Sequence, residues 1–110
     1  MEPIKVSTIE DFQPILDKGE PFLMFKHSLT CPISSAAYTE YQAYIKENPD
    51  VPTYYLTVQE SRPLSNYIAD TFSVKHESPQ VLFFKNGEVV WHTSHWNITE
   101  KAIREVVNNG

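Results

Sequence analysis

The sequence predicts a single α/β domain over residues 1–110, with a central mixed sheet that carries helices on both faces. Strand and helix patterns alternate along most of the chain, as in folds built around a parallel sheet. The last two strand patterns are joined by Asn86-Gly87, which favours a tight hairpin turn and therefore an antiparallel pair. With 41% apolar residues, a chain of this length can bury a core without disulfides or metals. The predicted element order is β-α-β-α-β-α-β-β-α.

The first three elements follow from apolar spacing and capping residues. Residues 4–6 predict a short strand, and Ser7 or Thr8 can cap a helix that Gly19 stops. Residues 22–25, Phe-Leu-Met-Phe, form a continuous apolar run of strand length. Such a run is typical of a strand covered on both faces, as in a parallel sheet.

The later elements follow from the same signals. They are a helix over 32–48, a strand over 51–58, a helix over 63–72, the two hairpin strands over 81–84 and 89–91, and a closing helix over 98–107. Pro32 occupies a first-turn position of its helix, and Asn48-Pro49 closes that helix. Asn97, in Asn97-Ile98-Thr99, is expected to cap the last helix, with Glu100 at the reciprocal position.

Charge and composition argue against several classes of function. The net charge is −5 and the nine Lys and Arg residues are scattered, so neither nucleic acid nor an anionic membrane is an expected partner. The chain starts without a basic segment followed by an apolar stretch, and no apolar run approaches the ~20 residues of a membrane span. A cytoplasmic location is therefore expected. His92 and His95 lack a third ligand nearby, so no metal site is predicted.

Three motifs together resemble a known fold. They are Cys31-Pro32-Ile33-Ser34 after the second strand, Ser78-Pro79 before the fourth, and Phe84-Lys85-Asn86-Gly87-Glu88-Val89 across the hairpin. In this element order they resemble the thioredoxin fold over nearly the whole chain. More narrowly, Thr30-Cys31-Pro32-Ile33-Ser34 resembles the signature of the monothiol bacilliredoxins, proteins of bacteria that use bacillithiol in place of glutathione.

The resemblance implies a monothiol thiol-disulfide oxidoreductase. Its reaction would remove bacillithiol from S-bacillithiolated client proteins through a mixed disulfide on Cys31. Bacillithiol would be a co-substrate, an external thiol or reductase would complete the cycle, and no tightly bound cofactor is expected. The residues expected to support the thiol are Thr30, Pro32, Ile33, Ser34 and Pro79.

The position of Cys31 favours the reactive thiolate. As N-cap of a helix that begins at Pro32, its sulfur should lie near the N–H groups of Ile33 and Ser34 and near the positive end of the helix dipole. Ser34 stands where a dithiol oxidoreductase carries its second cysteine. Its hydroxyl can donate a hydrogen bond to the thiolate but cannot attack a disulfide, so an outside thiol must resolve the adduct. The alternative is that Cys31 is an ordinary buried cysteine.

The ligand is expected to bind around this thiol. The candidate binding residues are Lys26, His27, Ser78, His95, Trp96 and Asn97. In the family's fold Pro79 would be cis and near the sulfur, leaving the backbone of Ser78 free to pair with an extended ligand. Lys26 and His27, on a predicted loop, either attract ligand carboxylates or are simply solvated. The residues before the last helix would face the distal carboxylate of the ligand, although Trp96 fits the core equally well.

Two other functions stay open. One is an iron–sulfur or thiol carrier of the monothiol glutaredoxin kind, whose Gly-Phe-Ser motif differs from this chain in the residue after the cysteine, here Pro32. The other is a non-catalytic thioredoxin-fold interaction module with an incidental thiol. Visible absorption after anaerobic reconstitution would identify the first, and slow alkylation of Cys31 at neutral pH would indicate the second.

Overall fold

A computed structural model describes residues 2–48 and 50–109. Its elements are β1 (Ile4–Lys5), α1 (Ile9–Asp17), β2 (Phe22–His27), α2 (Pro32–Glu47), β3 (Thr53–Thr57), α3 (Arg62–Phe72), β4 (Gln80–Lys85), β5 (Glu88–Ser94), a 3₁₀ turn (His95–Asn97) and α4 (Glu100–Asn109). The predicted element order is confirmed. None of the helices in these residues is both long and apolar enough to span a membrane.

The five strands form one mixed sheet in the order β1-β3-β2-β4-β5. β2 is parallel to β3 and antiparallel to β4, and β5 is antiparallel to β4. Lys26 near the end of β2 lies opposite Gln80 at the start of β4, and Gln80 lies opposite Ser94 at the end of β5. The segments that follow β2, precede β4 and follow β5 therefore emerge at the same end of the sheet.

Both faces of the sheet are covered, as the apolar run of β2 predicts. Phe22 and Met24 belong to a cluster with side chains of α1 and α3. Leu23 and Phe25 belong to a second cluster, with side chains of α2 and α4. Alternation along the strand thus sends successive side chains of β2 into two different cores.

Two buried tyrosines of α2 differ in how their hydroxyl groups are satisfied. Tyr41 and Tyr44 are both fully buried. The hydroxyl of Tyr41 donates to the carbonyl oxygen of Tyr54 at 2.9 Å and also lies 3.3 Å from that of Leu23. The Tyr44 hydroxyl has no hydrogen-bond partner among the described residues. Burial raises the pKa of both phenols, which keeps them neutral.

The sequence predicts the end of α2 and the start of α4 from their capping residues. Pro49, predicted to close α2 with Asn48, lies outside the described residues. The prediction that Asn97 caps the last helix is wrong, because residues 95–97 form a 3₁₀ turn and the buried Ile98 is extended. α4 begins two residues later than predicted, and the Thr99 hydroxyl accepts the N–H of Ala102 at 3.1 Å in the N-cap role.

Candidate active site

Cys31 is the N-cap of α2, as the sequence predicts. Its backbone is extended, with φ −105° and ψ 119°, Pro32 occupies the first turn, and the side chain is partly buried. The sulfur accepts no capping hydrogen bond. The N–H groups of Ser34 and Ser35 donate instead to the carbonyl oxygen of Cys31, at 3.0 and 3.2 Å. The sulfur therefore lies at the positive end of the helix but forms no hydrogen bond to the N–H groups of its first turn.

Ser34 anchors the first turn of α2 to the end of β2. It is fully buried, and its Oγ accepts the N–H of Ser28 at 2.8 Å and lies 2.7 Å from Nδ1 of His27. The expected bond to the thiolate is not made. The Ser34 hydroxyl has one proton and can donate one hydrogen bond. It can donate to Cys31 only if Nδ1 of His27 carries a proton and donates to Ser34 Oγ, because otherwise the hydroxyl donates to Nδ1. Ser34 therefore positions the thiol turn.

His27 is a strand residue and not the solvated loop residue that the sequence suggested. Its ring stacks on Tyr38 of α2, with centroids 4.8 Å apart and an interplanar angle of 16°. Burial lowers the pKa of His27, which favours the neutral ring at neutral pH. Its ring and its Nδ1 are both engaged with α2, so it connects β2 to the helix that carries Cys31 and does not present a cation to a ligand.

Gln59 holds the loop that leads to Cys31. It follows β3, and its Oε1 accepts the N–H of Leu29 at 3.1 Å. Its Nε2 donates to the hydroxyl oxygens of Ser28 and Thr30, at 2.9 and 3.3 Å. Thr30 itself is exposed. Sequence reasoning missed Gln59 because an exposed glutamine after a strand carries no local signal of a contact about thirty residues away.

Lys26 is placed differently from the expectation that it attracts ligand carboxylates. Its side chain is fully buried on the α3 side of the sheet. Nζ donates to the carbonyl oxygen of Ser65 at 3.0 Å and lies 3.4 Å from Nδ1 of His76. Burial lowers the pKa of Lys26 to about 8. The lysine is therefore an internal group of the fold, and His76, which the sequence did not suggest, is its neighbour.

The segment before β4 emerges at the same end of the sheet as the thiol turn. The peptide bond between Ser78 and Pro79 is cis, as the resemblance implies. The carbonyl oxygen of Pro79 accepts the N–H of His95 at 3.1 Å, and His95 has a positive φ of 54°. The hydroxyl of Ser78 is buried without a partner among the described residues. Loop 74–79 and the 3₁₀ turn are thus joined at this end of the molecule.

A cavity of about 280 Å³ opens between α2 and the 3₁₀ turn. Its lining residues are Ala36, Ala37, Glu40, His95, Trp96, Ile98 and Thr99. Ala36 follows Cys31 by five positions, so the cavity begins about 8 Å further along the helix axis. Trp96 is 70% exposed and is not a core residue. His95 and Trp96 are thus brought together at one cavity, whereas Asn97 is exposed and does not line it.

A larger groove lies away from the thiol. Its volume is about 500 Å³, and it runs between β5 and the later half of α4, with Val90, Trp91 and Val106 in its lining. No predicted site residue contributes to it. Among residues 2–48 and 50–109, no three His, Cys, Asp or Glu side chains are grouped so that they could hold a metal ion.

The sheet order and a thiol at the start of α2 define a thioredoxin-fold thiol oxidoreductase. A family model for the monothiol bacilliredoxin BrxC matches residues 4–103. The chain therefore belongs to the monothiol bacilliredoxin family.

Solved structures agree with this fold. One, described as a candidate oxidoreductase with a thioredoxin fold, is 41% identical, with a TM-score of 0.89 over 96% of this chain and 93% of the other. Mitochondrial thioredoxin 3 of Saccharomyces cerevisiae, in its oxidized form, is 16% identical, with a TM-score of 0.78 over 98% and 95% of the two chains. Thioredoxin of Fasciola hepatica is 20% identical, with a TM-score of 0.76 over 96% and 97%. The two thioredoxins show the likeness of fold alone.

Proposed function

We propose that this protein removes bacillithiol from S-bacillithiolated client proteins, with Cys31 as the nucleophile. The observation that carries the proposal is that the one cysteine of a bacilliredoxin-family chain is the N-cap of α2. This position is at the positive end of the dipole of a sixteen-residue helix. Ser34, at the third position after Cys31, is fully buried and bears no sulfur, so the chain offers no second thiol.

The proposed reaction is a thiol–disulfide exchange without net oxidation. The thiolate of Cys31 attacks the bacillithiol sulfur of the client's mixed disulfide. A sulfur–sulfur bond forms between Cys31 and bacillithiol, the original disulfide breaks, and the client cysteine leaves as a thiolate that takes a proton from solvent. The thiolate of a second bacillithiol molecule then attacks the bacillithiol sulfur of the adduct, the bond to Cys31 breaks with the Cys31 thiolate as leaving group, and the two bacillithiol molecules leave as a symmetrical disulfide.

The cavity beside α2 supports binding of the transferred thiol. It opens about 8 Å from Cys31 along the helix and combines the indole of Trp96 with the imidazole of His95. An aromatic wall suits the carbon skeleton of a ligand, and the imidazole can form a hydrogen bond to one of its oxygen atoms. The Glu40 carboxylate, which accepts the N–H of Glu100 at 2.9 Å, disfavours a ligand carboxylate on its side of the cavity. The backbone of Ser78, at the same end of the sheet as Cys31, is the proposed site for the extended part of the ligand.

The test is transfer of bacillithiol from a client protein to Cys31. A client carrying one S-bacillithiol group is mixed with excess protein, quenched in acid and followed by intact-mass spectrometry. We expect the client to lose bacillithiol and the protein to gain the same mass at Cys31. The Cys31→Ala variant should gain nothing, whereas Ser35→Ala, which removes an exposed hydroxyl four residues along α2, should react like the wild type.

Three outcomes would contradict the proposal. They are no adduct on the wild type, equal capture by Cys31→Ala, or a faster reaction with the same client carrying glutathione. Visible absorption after anaerobic reconstitution with iron and sulfide would favour the carrier function instead.

A further inference from the structure

Lys26 is a buried ammonium group that has no carboxylate beside it among residues 2–48 and 50–109. Its side chain is fully buried, and no Asp or Glu oxygen of the described residues lies within 4.0 Å of its Nζ. Lysine is rarely fully buried unless it is paired, because removing the charge from water is unfavourable. A position on β2 that faces the apolar cluster of α1 and α3 would be filled more favourably by an apolar side chain. Its presence therefore indicates a role other than packing.

The contacts of Lys26 join three elements at one point. Nζ donates to the carbonyl oxygen of Ser65 in α3 at 3.0 Å. It also lies 3.4 Å from Nδ1 of His76, in loop 74–79. The same Nδ1 lies 3.2 Å from the hydroxyl of Ser65. Nδ1 of His76 therefore faces the Nζ of Lys26 from β2 and the hydroxyl of Ser65 from α3.

Two side chains, those of His76 and Glu77, hold the middle of loop 74–79, and Glu77 is hydrogen-bonded to Ser94 at the end of β5. Among its residues only Val74 and Pro79, at the two ends, are buried. The side chain of Gln80 donates to the carbonyl oxygen of Lys75 at 3.0 Å, which fixes the backbone just before His76. His76 is thus the side chain that connects the middle of the loop to β2 and to α3, whereas Glu77 connects it to β5.

The same loop ends at the end of the sheet where Cys31 lies. Pro79 precedes Gln80, which lies directly opposite Lys26 in the sheet, and Cys31 follows β2 at that same end. The cavity beside α2 also depends on this loop, because the carbonyl oxygen of Pro79 accepts the N–H of His95. A shift of loop 74–79 would move the backbone of Ser78, and through Pro79 also the 3₁₀ turn, relative to Cys31.

We propose that Lys26 is a positioning residue for disulfide exchange, which holds loop 74–79 in place at the end of the sheet where Cys31 lies, through His76. The proposal rests on the proposed function, since it assigns the loop a part in binding an extended disulfide substrate. Lys26 does not touch the substrate. It acts through His76 and Ser65, from the opposite face of the sheet to α2.

The test compares two reactions of Cys31 that differ in their need for the loop. Alkylation by iodoacetamide requires only an accessible thiolate. Exchange with a ten-residue peptide, whose cysteine carries a mixed disulfide with 2-mercaptoethanol, requires an extended chain to lie along the site. The variants are Lys26→Met, which removes the donors, and His76→Phe, which keeps a ring but loses Nδ1. His76→Asn keeps a hydrogen-bonding group near the place of Nδ1, and Lys75→Met is the matched exposed control.

We expect Lys26→Met and His76→Phe to lower the second-order rate with the peptide about tenfold, as misplacement of a binding group does. Their alkylation rates should stay within about twofold of the wild type, because the loop is not needed there. His76→Asn should recover most of the peptide rate, and Lys75→Met should lose none. If Lys26→Met does not fold, the two His76 variants decide the question.

Two results would overturn the proposal. One is an unchanged peptide rate in folded Lys26→Met or His76→Phe, which would show that the loop needs neither group. The other is an equal loss in both reactions, which would show a general effect on the fold. A wild type that reacts with the peptide but takes no bacillithiol from a client would refute the proposed function and leave this inference standing.

Discussion

The buried charge of Lys26 should make stability rise with pH in a range where most proteins lose it. Burial lowers the pKa of Lys26 from its ordinary value of 10.5 to about 8. Between these two values the unfolded chain binds a proton at this lysine and the folded chain does not. Stability must therefore increase with pH over this interval, and the unfavourable effect of burying the charge is fully present below pH 8.

The size of the effect follows from the shift. Each pKa unit corresponds to about 1.36 kcal/mol, so the whole shift represents about 3 kcal/mol of stability. About 2 kcal/mol of this should be recovered between pH 7.0 and 9.5, because the unfolded lysine is still largely protonated at pH 9.5. Lys26→Met has no charge to bury and should lack this recovery.

The measurement is urea unfolding of the wild type and Lys26→Met at pH 7.0, 8.0, 9.0 and 9.5, followed by far-UV circular dichroism. The free energy of unfolding of the wild type minus that of the variant should increase by about 2 kcal/mol over the series. Using the difference removes the contribution of the tyrosines, which both proteins share. A difference that stays constant, or that decreases with pH, would show that Lys26 is solvated in the folded protein and would refute the reasoning.

Three further predictions concern α2 and the loop before it. Tyr41→Phe should destabilise the protein by about 1 kcal/mol in urea unfolding, because it removes a satisfied buried hydroxyl, whereas Tyr44→Phe should be neutral or stabilising. Equal losses in the two variants would contradict this. Ser34→Cys should form a disulfide with Cys31 under mild oxidation, seen as a loss of 2 Da and of both free thiols; persistence of two free thiols would show that the side chains do not face each other. Gln59→Ala should speed hydrogen exchange of the N–H group that its side chain holds in the thiol loop, measured by NMR. Protection equal to that of the wild type would mean that this bond is absent in solution.

The fold could be predicted because its signals are local. The apolar run of β2, the Asn86-Gly87 turn and the proline at the start of α2 each determine their element within a few residues. Asn86 and Gly87 do have positive φ angles, of 56° and 76°, as a tight hairpin turn needs. The start of α4 was misplaced because two adjacent segments, at Asn97 and at Thr99, both offer capping side chains, and only the burial of Ile98 decides between them.

The site could be predicted only in part. The residues next to Cys31 are enough to predict that it lies between a strand and a helix, and in the structure it is the N-cap of α2. The surroundings of Lys26 depend on partners that lie 39 and 50 residues further along the chain. A lysine at the end of an apolar run is ordinarily the first solvated residue after a strand, which is why sequence reasoning placed Lys26 on a loop. No pattern in one sequence indicates that His76 reaches it.

The pairing register of β2 has a consequence for how this chain tolerates insertions and deletions. Neighbours on one strand, Lys26 and His27, serve opposite faces, one holding loop 74–79 and the other the turn that carries Cys31. A slip of one residue would exchange the two faces, turning the lysine toward the aromatic ring of Tyr38 and the imidazole toward α3. Length changes within residues 22–27 would therefore disable both halves of the site together.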